Sequence, residues 1–147
     1  MSYANLSLIH SIAAYAWFGS FFGTLIFATL ASRRSPEGVV LGAVAMVRFS
    51  TIIGLPAAII LLLAGFAMMG QAGLNYGATW VSIGFATWLI AAVAGSGLQH
   101  PTARRMRNAA PGSPGQIREA KKILWIGAAQ IIVIAIGIWA MSAQPGA

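Results

Sequence analysis

The chain has 147 residues, of which 59% are hydrophobic and 7% charged, and its mean hydropathy is +0.80. A soluble domain covers itself with about 25% charged residues, so this composition excludes a water-soluble domain, and the length suits one compact unit. Without cysteine there can be no disulfide, thiolate metal site or cysteine nucleophile; the net charge of +7 is expected to mark membrane topology and not nucleic-acid binding.

The first apolar stretch predicts a membrane helix over about residues 5–31, long enough for a bilayer core that needs roughly 20 residues. No basic residue precedes Arg33, so the stretch lacks the charged lead of a secretory signal and is expected to be retained. His10 falls about one turn into it, with Ala13, Ala14 and Trp17 following at helical spacing. Small neighbours leave room for a flat ring beside the histidine, and histidine, sometimes with methionine opposite, is a common haem ligand. The plain alternative is an interfacial histidine bonding a backbone group or a lipid headgroup. Gly19 and Gly23 form a GxxxG pair, which suits close helix approach and is expected to serve a contact within the chain.

Arg33 and Arg34 open the first connection, and Ser35-Pro36-Glu37 then provides a capping hydroxyl, a proline at the first helical position and an acid in the first turn. A second helix is expected over about residues 36–70, passing Arg48 before it enters the membrane. Pro56 removes an amide donor inside it and predicts a kink near the carbonyl of Ile52. Met68 and Met69 end this helix on the same side as His10, where a His–Met pair around a haem or chlorin is sterically possible. The connection from Gln71 to Gly77 has no charge.

The third helix is expected over about residues 78–100, with Trp80 near its start and His100 at its end. Pro101 either ends it or kinks a short extension towards Arg107. His100 is separated from His10 by most of a roughly 30 Å core, so the two cannot clasp one haem within a single chain. Ser113-Pro114-Gly115-Gln116 predicts a capped start, with Gln116 spaced for a capping box, to a fourth helix over about residues 114–142. Gln130, near its middle, must find a partner and is expected to face other helices.

The nine basic residues, Arg33, Arg34, Arg48, Arg104, Arg105, Arg107, Arg118, Lys121 and Lys122, all fall on one side of this layout. That side is expected to be cytoplasmic, touching lipid headgroups or a partner. The fold is therefore expected to be an all-α, four-helix transmembrane bundle of the bacterial cytoplasmic membrane, with both termini outside and helix 2 kinked. Both acids, Glu37 and Glu119, lie in the connections, and no paired carboxylate, histidine cluster or phosphate loop is present. An ion-coupled pump normally keeps ionisable groups inside the membrane, which argues against one here and against an enzyme generally.

Leu8-Ile9-His10, Trp17, Gly19, Arg33-Arg34, Arg48, Pro56, Gly65, Trp80, Pro101 and Arg104 together resemble an uncharacterised family of predicted four-span bacterial integral membrane proteins. More distantly, helix 1 resembles HemJ-type and CopD-type membrane proteins, which also open on a histidine followed by Trp and Gly. The HemJ resemblance implies haem binding at His10, whereas the absence of a lysine from helix 3 argues against the protoporphyrinogen oxidase activity of that group. Three functions are weighed in order. The first is a non-catalytic accessory subunit of a respiratory or photosynthetic membrane complex, contacting lipids and other subunits. The second is a haem-binding redox or assembly protein using His10, Trp17 and Met68 or Met69. The third is a small transporter or channel that would need homo-oligomerisation.

The orientation is directly testable because the chain has no native cysteine. A cysteine placed at Gly73 is expected to react with a membrane-impermeant thiol reagent from outside intact cells, and one at Ser113 to be protected. The reverse labelling would invert the topology.

Overall fold

Four helices are long and apolar enough to cross a membrane: α1 (Tyr3–Ser32), α2 (Pro36–Ala72), α3 (Thr79–Asn108) and α4 (Pro114–Ala143). The computed structural model of the protein describes residues 1–73 and 77–144, and among them there is no strand. The uncharged connection expected at residues 71–77 falls partly, at 74–76, outside the described residues.

The helix starts follow from the capping residues. Ser2, Ser35 and Ser113 each accept the amide of the residue three positions on, Asn5, Gly38 and Gln116, at 3.2–3.3 Å. Gln116 reaches back as expected, but its Oε1 accepts from the amide of Gly112 at 2.9 Å and not from Ser113, whose amide turns to the carbonyl of Ala110. α2 ends in a left-handed residue, Gly73, at φ 61°, a conformation glycine adopts without steric cost. Ala72 and Ala110 are thus better cysteine positions than Gly73 and Ser113.

Both internal prolines are accommodated by a widened turn. Ser50–Gly54 in α2 is π-helical, with the Leu55 amide bonding the carbonyl of Ser50. Ala94–Gln99 in α3 repeats the arrangement, with the His100 amide on Gly95. Each extra residue precedes its proline by two positions and absorbs the missing donor at Pro56 and Pro101, as π-turns commonly do in long helices. α3 consequently runs through Pro101 to Asn108, eight residues beyond the expected end at 100.

The helices approach where small residues leave space. Gly38 and Gly42 of α2 face Ala31 and Ala28 of α1 so closely that a Cβ at either would collide with them. A Cβ at Gly54 would stand 2.8 Å from Ser20 Oγ, one at Gly127 2.7 Å from Met46 Cε, and one at Gly137 2.5 Å from Thr87 Oγ1. Gly19 and Gly23 are different. Both are exposed and meet nothing within 4 Å, so the expected contact within the chain is corrected: their side of α1 also carries Ile12, Tyr15, Phe22 and Ile26, all exposed. The GxxxG pair that packs internally is Gly38–Gly42.

Gln130 is buried in the seam of α4 with α3, its Nε2 donating to the carbonyl of Ala91 at 2.9 Å. Among the described residues, its Oε1 and the Nε2 of Gln99 are buried side-chain atoms without a partner. Below this seam Glu119 of α4 ties down the end of α3. Lys122 Nζ donates to its Oε1 at 2.6 Å, Arg105 Nε to its Oε2 at 3.0 Å, and Arg118 Nε lies 3.6 Å away. Hydrogen bonds from Lys122 and then Arg105 hold this carboxyl, which lies in the basic turn before the apolar span of α4, below the usual carboxylate range. Arg48 is exposed within α2.

These contacts predict opposite responses to one added methyl group. Gly42→Ala is expected to cost about 1–3 kcal/mol through overpacking against Ala28, read by denaturant-induced unfolding in detergent micelles. Gly23→Ala is expected to leave stability unchanged or slightly raised, and equal losses at both positions would place the α1–α2 seam elsewhere.

Candidate cofactor-binding site

His10 projects from α1 towards α2, and its Nδ1 lies 3.0 Å from the carbonyl oxygen of Leu61. A carbonyl only accepts, so the proton must sit on Nδ1 and the ring bonds as its donor. That choice leaves Nε2 deprotonated, with a lone pair that meets no hydrogen-bond donor among the described residues. Gly65 makes the approach possible: a Cβ there would stand 3.2 Å from His10 Cε1 and 3.5 Å from Nδ1. An imidazole whose Nδ1–H is fixed by a backbone carbonyl is the arrangement that metal-ligating histidines use, because the bond sets both tautomer and ring orientation.

The ring lines a cavity of about 610 Å³, within the size range of small-molecule and cofactor sites. The cavity exists because α2 and α3 are held apart by rings over their halves nearest the termini. Phe66 of α2 meets Phe85 of α3 with centroids 6.5 Å apart, and Phe85 stacks on Trp88 at 6.3 Å. Trp88 also crosses the gap, its Nε1–H donating to the carbonyl of Ala58 at 2.9 Å. Trp17 and Ile134 lie among the remaining walls, and the hydroxyls of Ser7, Ser11, Ser82 and Ser142 add polar points on the lining.

All four residues expected to hold a cofactor, His10, Trp17, Met68 and Met69, line this one cavity. Met69 is almost fully buried. His100 starts the basic segment of α3, is exposed, and takes no part. Gly19, Gly23, Pro56 and Gln130 are likewise absent from the lining, as are Arg33, Arg34, Arg48, Arg104, Arg105, Arg107, Lys121 and Lys122. The sequence reading missed Leu61, Phe66, Phe85 and Trp88. The aromatic residues Trp80, Phe85 and Trp88 near the start of α3 were a usable signal, but only the fold shows them facing His10 across a gap. Gly65 entered that reading only through a family resemblance, and its reason is now steric.

The residue types of the lining are compatible with a haem or chlorin. One imidazole nitrogen is free and oriented, thioethers from two methionines border the same space, and the walls are aromatic and aliphatic. These are the parts from which proteins build axial ligation and an apolar surround. Among the described residues no group of three or more metal-ligating side chains converges, so a bare multidentate metal ion has no comparable site.

The family model described as predicted integral membrane protein (DUF2269) matches residues 4–145, and the chain belongs to that family. No curated protein and no solved structure matches it.

Because Gly65 admits the imidazole, Gly65→Val is expected to force His10 off the Leu61 carbonyl. Nitrogen NMR of the histidine ring should then lose the single Nδ1–H tautomer, whereas Gly70→Val, at a position with open space, should retain it. An unchanged ring spectrum in the Gly65 variant would show that the contact does not set the tautomer.

Proposed function

We propose that this membrane protein binds a haem-type macrocycle in the cavity between α2 and α3, which His10 Nε2 would hold through its metal. The observation that carries the proposal is the bond from His10 Nδ1–H to the Leu61 carbonyl, which leaves the other nitrogen free at the edge of an aromatic-walled cavity. Gly65 keeps the ring in place. Trp17, Phe66, Phe85 and Trp88 would cover the faces of a flat ligand, and Met68 or Met69 would offer a thioether to it. Bound there, the macrocycle would supply electron transfer or be held for delivery to another protein. The chain's own residues orient the ligand, keep water away from its faces and tune its affinity.

A second reading, a non-catalytic accessory subunit of a larger membrane complex, is favoured by the bare α1 face with Gly19 and Gly23 at its centre. Small residues facing lipid permit another helix to approach closely. The two readings are compatible, since a haem-carrying subunit is an accessory subunit. Placement in the bacterial cytoplasmic membrane with both termini outside is supported by the clustering of all nine basic residues at the opposite end, and it would put the cavity near the outer leaflet.

Protein purified from its source membrane is expected to show a Soret-type band. His10→Ala should abolish the band while the protein remains inserted, and Gln at the same position should not restore it, lacking a neutral axial nitrogen. His100→Ala should leave the spectrum unchanged. A colourless wild-type preparation that retains its other native partners would sink the haem proposal and leave the accessory reading.

A further inference from the structure

The basic end of the bundle carries a second site, independent of the cavity. Glu119 is buried, its side chain only 8% exposed, and it gathers three cations: Arg105 from α3, and Arg118 and Lys122 from its own helix. Three cations around one carboxylate leave a surplus of two positive charges in a small volume. Each of the three side chains is more than half exposed, so donors not used on Glu119 point outward. Arg105 is further fixed by donating from Nη2 to Thr102 Oγ1 at 2.8 Å. The carboxylate and the threonine therefore pre-organise the cluster, and among the described residues no other lysine or arginine is held by a buried carboxylate.

One turn closer to the membrane on the same helix stands Trp125. It is 76% exposed, more than any other large apolar side chain among the described residues. Arg118, Lys122 and Trp125 recur at i, i+4 and i+7 and so share one face of α4. From Lys122 to Ala143 the helix rises about 32 Å at 1.5 Å per residue, close to one bilayer core. Lys122 then falls at headgroup level and Trp125 at the boundary, the depth at which tryptophan is enriched. An indole N–H and two cations on one face, at that depth, are chemically suited to a phosphate diester with its acyl chains along α4. Ile132 and Ile136 continue that face upward and are exposed.

We infer that Arg105, Arg118, Lys122 and Trp125 form a binding site for the phosphate of an anionic phospholipid, organised by the buried carboxylate of Glu119. The occupant is a lipid because the surplus charge calls for an anion and the surface above it is bare hydrocarbon. Basic pockets between helices at this level recognise such headgroups in membrane proteins generally.

The test reconstitutes the full chain in phosphatidylcholine vesicles containing a minor fraction of phosphatidylglycerol, re-extracts it in mild detergent and counts retained lipid by native mass spectrometry. Phosphatidylglycerol is expected to be retained in preference. Arg118→Gln with Lys122→Gln should lower the preference about fivefold per cation removed, because only lipid in direct contact with these side chains survives re-extraction. Arg33→Gln with Arg34→Gln removes the same charge from the other connection and should leave the preference intact. Equal loss in both pairs would replace the site by diffuse attraction and overturn the inference. Trp125→Phe leaves the ion cluster whole and keeps an aromatic ring, so it tests the site even if the charge variants do not insert: the preference is expected to fall, and an unchanged preference would overturn the inference. Millimolar inorganic phosphate should not displace the lipid, and displacement would reassign the site to a soluble phosphate.

Discussion

Helices in lipid gain nothing from burying apolar surface against one another, because the tails they displace are as apolar as their own side chains. Their contacts are decided instead by how closely backbones can approach. Glycines set the approach in this chain: Gly38 and Gly42 against Ala31 and Ala28, Gly127 against Met46, Gly137 against Thr87. These contacts draw α1 onto α2 and α4 onto both α2 and α3. No glycine performs this service between α2 and α3 on the side of the termini, where Phe66, Phe85 and Trp88 fill the gap with rings. Close approach of α1 to α2 and of α4 to α2 and α3, with ring-width separation between α2 and α3, leaves the bundle open where His10 is.

The same logic explains the two widened turns. Proline removes a donor that nothing in hydrocarbon can replace, so the helix either breaks or redistributes its bonds. Inserting a residue ahead of Pro56 and Pro101 lets both helices continue past the defect. In α2 the turn brings Gly54 against Ser20 and keeps Trp17 at the base of the cavity. In α3 it carries the helix on into the basic segment, where Arg105 can reach Glu119. An early stop at His100 would have left Glu119 without its partner from α3 and cut the ionic tie that joins those two helices.

The number of helices and the segregation of charge were legible because they depend on quantities that add along the chain, hydropathy and the count of arginines and lysines. Caps were legible because Ser-Pro spacing is local. Azimuth was not. Gly19–Gly23 and Gly38–Gly42 present the same spacing, and nothing in that spacing says which pair turns inward; Ala28 and Ala31 of α1 are the complement that decides it. The α3 end stayed open between a stop at Pro101 and an extension towards Arg107, because the π-turn that carries the helix past Pro101 leaves no clear mark in composition. His10 was legible as a candidate from its neighbours on α1, whereas its orienting carbonyl belongs to Leu61, 51 residues away, and a backbone acceptor has no sequence signature.

Charge placement also constrains what the cavity can hold. With every lysine and arginine at the far end and none in the lining, the site offers a ligand one neutral imidazole nitrogen, thioethers, hydroxyls and rings. A free dianion would pay its desolvation cost there without a counter-charge. A flat apolar molecule whose acidic groups reach the serine hydroxyls, or stay in water at an open mouth, would not. The Glu119 cluster has the opposite character, with surplus cations and no enclosing apolar wall except the lipid itself. The segregation of charge therefore suits the two ends to distinct ligand classes, and exchanging the two proposed ligands would be unfavourable at both.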